Sequence, residues 1–338
     1  MSDFTFLTRE QIFGSDKLNI LKNYGTRCIV TDFAILLGCY IPAKPRYQNK
    51  ISINYFRTSE WWTSSKSDNG NNIMIVNDYG RVLSEERNPS CVSSGARPAF
   101  YIPENYENFS LSYNSKVNDS GVLEMEYGEY PQDCVSIEKS KILEDLYLKG
   151  DLCKTGKKYT ISMNAFSFSS GGFELENYIE YEYKARKYIR AFGNRNSYGT
   201  ELSNYKTIVK GKPYWIEVEP IIWLMDKQTN IALSKKILFS RIPFHLNSDY
   251  SGDFKGSTIE QFMNNYFSKE IQPTMLKRYD IEIQNRVKIN PYKFNFDKVS
   301  EENIISGCIE SDIPVFLHGP SSEGKSARVK QIDPDCTI

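Results

Sequence analysis

Pro213–Leu238 reads PYWIEVEPIIWLMDKQTNIALSKKIL. Two apolar runs rich in Ile, Val and Trp flank the turn-forming stretch Asp226–Asn230. The segment therefore reads as two strands around a turn. Upstream, Tyr178–Phe192 reads YIEYEYKARKYIRAF. Its first part alternates strictly. Ile179, Tyr181, Tyr183 and Ala185 fall on one side, and Glu180, Glu182 and Lys184 on the other. A hairpin turning near Ala185-Arg186 is expected, with its charged face in solvent. A helix is the rival, because Tyr181, Ala185, Tyr188 and Phe192 also recur at helical spacing.

Working outward, Glu60–Ile102 sets short apolar bursts (Ile73, Ile75; Val82; Ala99, Tyr101) between turn signals. Those signals are Asp68-Asn69-Gly70, Asp78-Tyr79-Gly80 and Asn88-Pro89. This is the rhythm of a small antiparallel sheet with hairpins. Ser15–Tyr40 reads as a short helix, a loop, then an apolar helix or strand. VLEMEYGEYPQ (Val122–Gln132) alternates and then turns. STIEQFMNNYFSKEI (Ser257–Ile271) is an amphipathic helix that Ser257 or Thr258 can cap. Ile259, Phe262, Met263, Tyr266 and Phe267 form its apolar stripe. Trp61 and Trp62 read as one core and one surface aromatic, and Trp215 and Trp223 as members of a single core. Arg97 reads as a structural residue bonded to backbone or to a buried carboxylate. His245 reads as a satisfied structural histidine.

The chain has 338 residues with 42 Lys plus Arg against 42 Asp plus Glu, so formal net charge is zero. That argues against nucleic acid or an anionic membrane as the partner of the whole chain. The basic run Lys184, Arg186, Lys187, Arg190 is balanced by Glu180 and Glu182. Seven scattered cysteines with no CxxC, and two histidines, argue against a structural zinc site. No run approaches the ~18 apolar residues of a membrane helix. Thiol usage and the N-terminal MSDFTFLTREQ imply a cytoplasmic protein.

Residues 297–338 carry the strongest motif. Gly319-Pro320-Ser321-Ser322-Glu323-Gly324-Lys325-Ser326 matches GxxxxGK[ST] in full. An apolar run, IPVFLHG, precedes it, and a helix-forming run, KSARVKQI, follows. Glycines let backbone N–H groups wrap around phosphates, and the helix N-terminus adds positive potential. Lys325 would reach the β- and γ-phosphates of ATP, and Ser326 would help hold Mg²⁺. Asp333 and Asp335 follow no apolar strand, so neither reads as the second acidic element a P-loop ATPase requires. The chain as given is expected not to hydrolyse ATP alone.

This last stretch, with the helix-like VSEENIISGCIES before it, resembles the start of AAA+ ATPases of the MoxR-like branch. The resemblance implies a ring-forming ATPase whose remaining domain lies beyond Ile338. A second resemblance covers the rest. EWWTSS, VNDYGRV and GARPAF are similar to the pattern WW-x-RS…V-x-x-x-G-x-V…G-x-RPA of an uncharacterised bacterial and phage domain family. That family is related in fold to the C-type lectin-like domains of formylglycine-generating enzymes. Thr63 stands where the pattern has Arg. YGEYPQ, EPIIWLMD, ALSKKIL and STIEQFMNNYF resemble the family's N-terminal half, yet they follow its C-terminal half here, which implies one circularly permuted domain or two incomplete units that complete each other.

The expected fold is therefore α+β. A lectin-like domain rich in antiparallel strands, with halves 1–103 and 122–272 in permuted order, is joined by a surface connector at 104–121. A link at 273–296 leads to the incomplete P-loop α/β segment, 297–338. The function implied is a recognition region that binds a protein client or assembly partner for an ATPase. A homo-oligomeric ring would form only with the full ATPase domain. The alternative is a ligand-binding lectin-like phage or bacterial surface-recognition protein. Catalysis of the formylglycine type resembles a paired-cysteine copper site, and no close cysteine pair is visible in the sequence.

Overall fold

The computed structural model describes residues 4–42, 57–68, 70–81, 86–102, 115–117, 122–162, 175–194, 202–226, 228–246, 250 and 252–271. The chain divides into two units, Met1–Pro273 and Thr274–Ile338. The second lies outside the described residues.

The first unit mixes helices with antiparallel sheets and is rich in strand. It opens with β1 (Phe4–Thr5), α1 (Arg9–Phe13), α2 (Asn19–Tyr24), β2 (Ile29–Val30) and α3 (Asp32–Leu37). Next come β3 (Trp61–Lys66), β4 (Ile73–Val76), β5 (Glu86–Arg87), β6 (Ala99–Tyr101) and β7 (Ser115–Val117). The remainder is β8 (Leu123–Cys134), α4 (Ile137–Lys149), β9 (Cys153–Ser162), β10 (Leu175–Tyr183), β11 (Arg186–Phe192), β12 (Pro213–Asp226), β13 (Ile231–Ser234), β14 (Lys236–Ile237) and α5. Helix α5 runs from Thr258 to Phe262, through a π-helical turn at Met263–Phe267, and ends at Ser268–Glu270.

The strand β12 is the spine of a nine-stranded sheet ordered β1-β6-β13-β12-β11-β10-β9, with β8 also paired to β12 and β7 to β8. Along one edge β12 pairs with β8 from Ile216↔Cys134 to Met225↔Leu123. Its opposite edge takes β11 at Tyr188↔Glu217 to Phe192↔Pro213, and β13 at Trp223↔Ser234 to Asp226↔Ile231. The gap between those two partners holds Pro220, which has no N–H to give to a ladder. Gln132 bridges this irregular stretch, its Nε2 donating to the carbonyls of Glu219 (3.1 Å) and Pro220 (2.8 Å).

The strands β1 and β6 come from residues 1–103, and the rest of the large sheet from 115–234. One apolar core spans both stretches, from Phe4 and Phe33 through Trp61 and Trp62 to Trp223, Phe239 and Phe267. The small sheet β3-β4-β5 and the parallel pair β2-β14 pack around it. The two ends of the unit meet: the Phe4 amide donates to Asn264 Oδ1 at 2.8 Å, and the rings of Phe4 and Phe267 lie 5.2 Å apart.

Several expectations change here. YGEYPQ does not turn; it continues as β8, with Gly128 at φ +72°. Part of the connector is strand, since Ser115–Val117 pairs with β8. The turn of the β10–β11 hairpin is Lys184-Ala185, both at positive φ (50° and 56°), the mirror-image turn that suits strand twist. The helical alternative for this segment is excluded. Its charged face is only partly solvated: Glu180, on the same face as buried Tyr178 two residues before it, is fully buried, while Glu182 is half-buried and Lys184 exposed. In α5, Ser257 is the cap, accepting from the Glu260 amide at 3.2 Å. The π turn adds a residue to one turn, so Phe262, Met263 and Phe267 face the core while Tyr266 rotates outward.

Candidate functional site

Gly319, Pro320, Ser321, Ser322, Glu323, Gly324, Lys325 and Ser326 lie outside the described residues, as do His318, the linker 273–296 and Val82. The site built here comes from the first unit, where buried ionic groups gather beside a cleft.

Thr31 caps α3: its Oγ1 accepts from the Ala34 amide at 3.2 Å, and Gly38 at φ +116° ends the helix. Every side chain of α3 is buried, including that of its first residue, Asp32. The Asp32 carboxylate ties four distant segments together. It accepts from Arg57 Nη2 at 2.7 Å, the Cys134 amide at 2.8 Å, the Ser203 amide at 3.0 Å and the Ser203 hydroxyl. Arg57 Nη2 also reaches Asp133 Oδ1 at 3.0 Å, and Lys236 Nζ reaches Asp133 Oδ2 at 2.7 Å. The charges therefore alternate as Asp32, Arg57, Asp133, Lys236.

Burial pushes Asp32 up from the ordinary carboxylate value, against the pull of Arg57. Burial also acts on Asp133, but Lys236 and Arg57 outweigh it and hold Asp133 down. The Cys134 thiol is driven well above its usual value by burial and by the Asp32 charge. That direction disfavours the thiolate, the nucleophilic form.

Lys236 also lines a cleft of about 240 Å³ with Glu126, Gln132, Glu219, Pro220 and Lys235. Lys235 is held by Glu124 at 2.9 and 3.1 Å. Burial raises the Glu219 carboxyl, Lys236 opposes it and Asp133 adds to it. The cleft thus offers a protonatable carboxyl beside fixed lysine–carboxylate pairs. Such an arrangement can take a hydrogen-bonding or cationic group. Among the described residues no group of three or more His, Cys, Asp or Glu is placed to hold a metal ion. Among the described residues Cys28, Cys91, Cys134 and Cys153 are outside any disulfide.

The other sequence candidates resolve into structure. Trp61 and Trp62 are both fully buried, which corrects the split expected for them. Neighbours on a strand point to opposite faces, and β3 is covered on both: Arg97 lies 5.0 Å over the Trp61 ring, and Phe244 packs 5.7 Å from Trp62. Arg97 Nε donates to the Ser234 carbonyl at 3.0 Å, pinning β6 to β13. Thr63, at the position of the pattern's Arg, is buried and donates to the Met74 carbonyl at 2.8 Å. Gly80, at φ +78°, is required: a Cβ there would meet the Arg27 amide nitrogen at 2.8 Å. His245 stacks on Tyr250 at 3.7 Å. Three of the four members of the basic run are paired in place, by Arg186–Glu217 (2.9 Å), Lys187–Glu129 (2.6 Å) and Arg190–Glu144 (2.7 Å), and Lys184 lies 5.5 Å over the Tyr183 ring.

Sequence reasoning missed the Asp32–Arg57–Asp133–Lys236 chain. Its one local signal was Thr31-Asp32 at a helix start. No family model, curated protein or solved structure matches the chain. No helix among the described residues is long and apolar enough to cross a membrane.

Proposed function

We propose that this chain is the recognition region of a cytoplasmic MoxR-like AAA+ ATPase. In this reading the first unit is a lectin-like domain in permuted order, and it binds a protein client or assembly partner. Gly319–Ser326 binds the phosphates of ATP, with Lys325 against the β- and γ-phosphates and Ser326 toward Mg²⁺. The observation that carries the reading is the complete GxxxxGK[ST] match between an apolar run and a helix-forming run.

Two features of the first unit support the recognition role. Residues 1–103 and 122–272 share a sheet and a core, and the unit's ends meet at Phe4 and Asn264. Adjacent ends are what a permuted order of one domain requires. The basic side chains of β11 are paired with glutamates, which favours a protein partner over nucleic acid.

The test is turnover by the protein made from the whole reading frame that contains these residues. ATP hydrolysis is expected, and Lys325→Ala should abolish it without moving the thermal melt of the first unit. The 338 residues alone should show no turnover. Hydrolysis that survives Lys325→Ala would remove the P-loop from the function.

A further inference from the structure

The end of α5 docks on β9, the edge strand of the large sheet. The contact is carried by one carboxyl. Glu270 Oε1 accepts the Thr160 amide at 2.8 Å, an N–H that an edge strand otherwise leaves unpaired. Next to it, the Ile271 carbonyl accepts the Glu129 amide of β8 at 3.1 Å. Gly128 makes this approach possible, because a Cβ there would stand 2.6 Å from the Ile271 oxygen.

The second carboxyl oxygen sits among polar atoms that lack partners. Glu270 Oε2, the Tyr130 hydroxyl and Lys157 Nζ are all buried without a hydrogen bond. Tyr130 is fully buried, between Tyr159 (5.5 Å) and Phe267 (5.2 Å). Lys157 Nζ rests 5.1 Å over the Tyr159 ring, and its charge acts on Glu270 without a hydrogen bond to it. The other charged or titratable groups facing this corner are Lys158 on β9, Glu129 on β8, Tyr178 and Glu180 on β10, and Lys187 on β11. Glu129 is occupied by Lys187, and Glu180 by the hydroxyls of Tyr159 (2.6 Å) and Thr155 (2.7 Å). As placed, neither the Tyr130 hydroxyl nor Lys157 Nζ donates to Oε2, so an ionised carboxyl there would keep a buried oxygen without a hydrogen bond, whereas a neutral one can give its O–H to the Tyr130 oxygen.

We propose that Glu270 is a proton-operated latch, holding the end of α5 on the β9 edge when its carboxyl is protonated and releasing it when the carboxyl ionises. Burial raises this carboxyl to about 7, against hydrogen bonds from Thr160 and the charges of Lys157 and Lys158. A folded-state value above the unfolded one places the latch's full strength below the unfolded value. That strength is lost as pH rises through about 7. A partner that supplies a cation to Oε2 would act in the opposite sense, by stabilising the ionised carboxylate in place. The latch is separate from the P-loop reading and stands or falls without it.

Amide hydrogen exchange on the intact chain tests the latch. Corrected for intrinsic rates, protection of the Thr160 and Glu129 amides should fall roughly 100-fold from pH 5 to pH 8. The Ile189 amide in the β11–β12 ladder should hold its protection. Glu270→Gln, a neutral isostere, should keep Thr160 protected at both pH values. A wild-type protection factor independent of pH would overturn the latch, even if Glu270→Gln failed to fold. So would a Glu270→Gln profile that fell like wild type, or a carboxyl ¹³C titration of Glu270 with its midpoint near 4.5, the ordinary value.

Discussion

The unit contains two apolar clusters built on different terms. The large one gathers Trp61, Trp62, Trp223 and the phenylalanines of β1, β6 and α5. Its rings pack mainly on rings: Phe100 lies 4.8 Å from Trp223, and Phe239 5.3 Å from Phe262. The small one holds Val135, Leu143, Leu152, Tyr181, Tyr188 and Trp215 beneath α4. Trp215 and Trp223 lie on the same strand, yet they belong to different clusters rather than to one core. In the small cluster Trp215, Tyr181 and Tyr147 form a triangle with centroids 5.7–5.9 Å apart. Charge closes that triangle. Glu144 accepts from Trp215 Nε1 at 2.9 Å and from both prongs of Arg190, whose guanidinium lies 4.6 Å over Tyr147. A cluster too small to exclude water on every side uses tyrosines and an ion pair as its rim. The large cluster needs few such devices.

Substitutions can break this contrast. Trp223→Ala should cost the most, about 5 kcal/mol, since the enclosed core cannot collapse onto the cavity. It also strips the Tyr127 carbonyl of its 2.8 Å donor. Trp215→Ala should cost less, about 3 kcal/mol, because α4 can settle inward. Denaturant midpoints measure both, and equal losses would erase the distinction between the clusters. Trp215→Phe keeps the ring but removes the donor to Glu144, for about 1 kcal/mol.

The rim should also show in acid. The Arg190 hydrogen bonds hold the Glu144 carboxyl below its ordinary value, with Trp215 helping and burial opposing. A lowered folded-state value gives stability that is present above the unfolded value and lost as pH falls through the folded one. Glu144→Gln should flatten that acid limb by less than about 1 kcal/mol, the pair being partly solvated. Stability curves from pH 2 to pH 7 read it directly. Leu148→Ala, on the outer face of α4 with 72% exposure, should change stability by no more than about 0.5 kcal/mol.

What could be read from the sequence follows from how local each cause is. The β12–β13 turn, the β10–β11 hairpin and the Ser257 cap each rest on residues a few positions apart, and all three are present. Burial is less legible where an element is covered on both faces or where a helical turn carries an extra residue. Glu180 lies under the side chains of Tyr159 and Thr155 on β9, and the π turn exposes Tyr266. Neither leaves a mark in apolar periodicity. The ionic chain was least legible of all. Asp32 meets Arg57 25 residues on, Cys134 102 on and Ser203 171 on, so no spacing rule links them. For Gly319–Ser326 the motif itself is the whole reading, since those residues lie outside the described ones.

The bond between Phe4 and Asn264 spans 260 residues. At ribosomal rates of roughly 5–20 residues per second, the first strand emerges roughly 13–50 s before its closing helix exists. Throughout that interval Phe4 and Phe6, both fully buried in the finished fold, have only part of their final neighbours. The nascent chain thus has a window in which these two phenylalanines are open to chaperones, and the helix that closes the window is the last of the described elements.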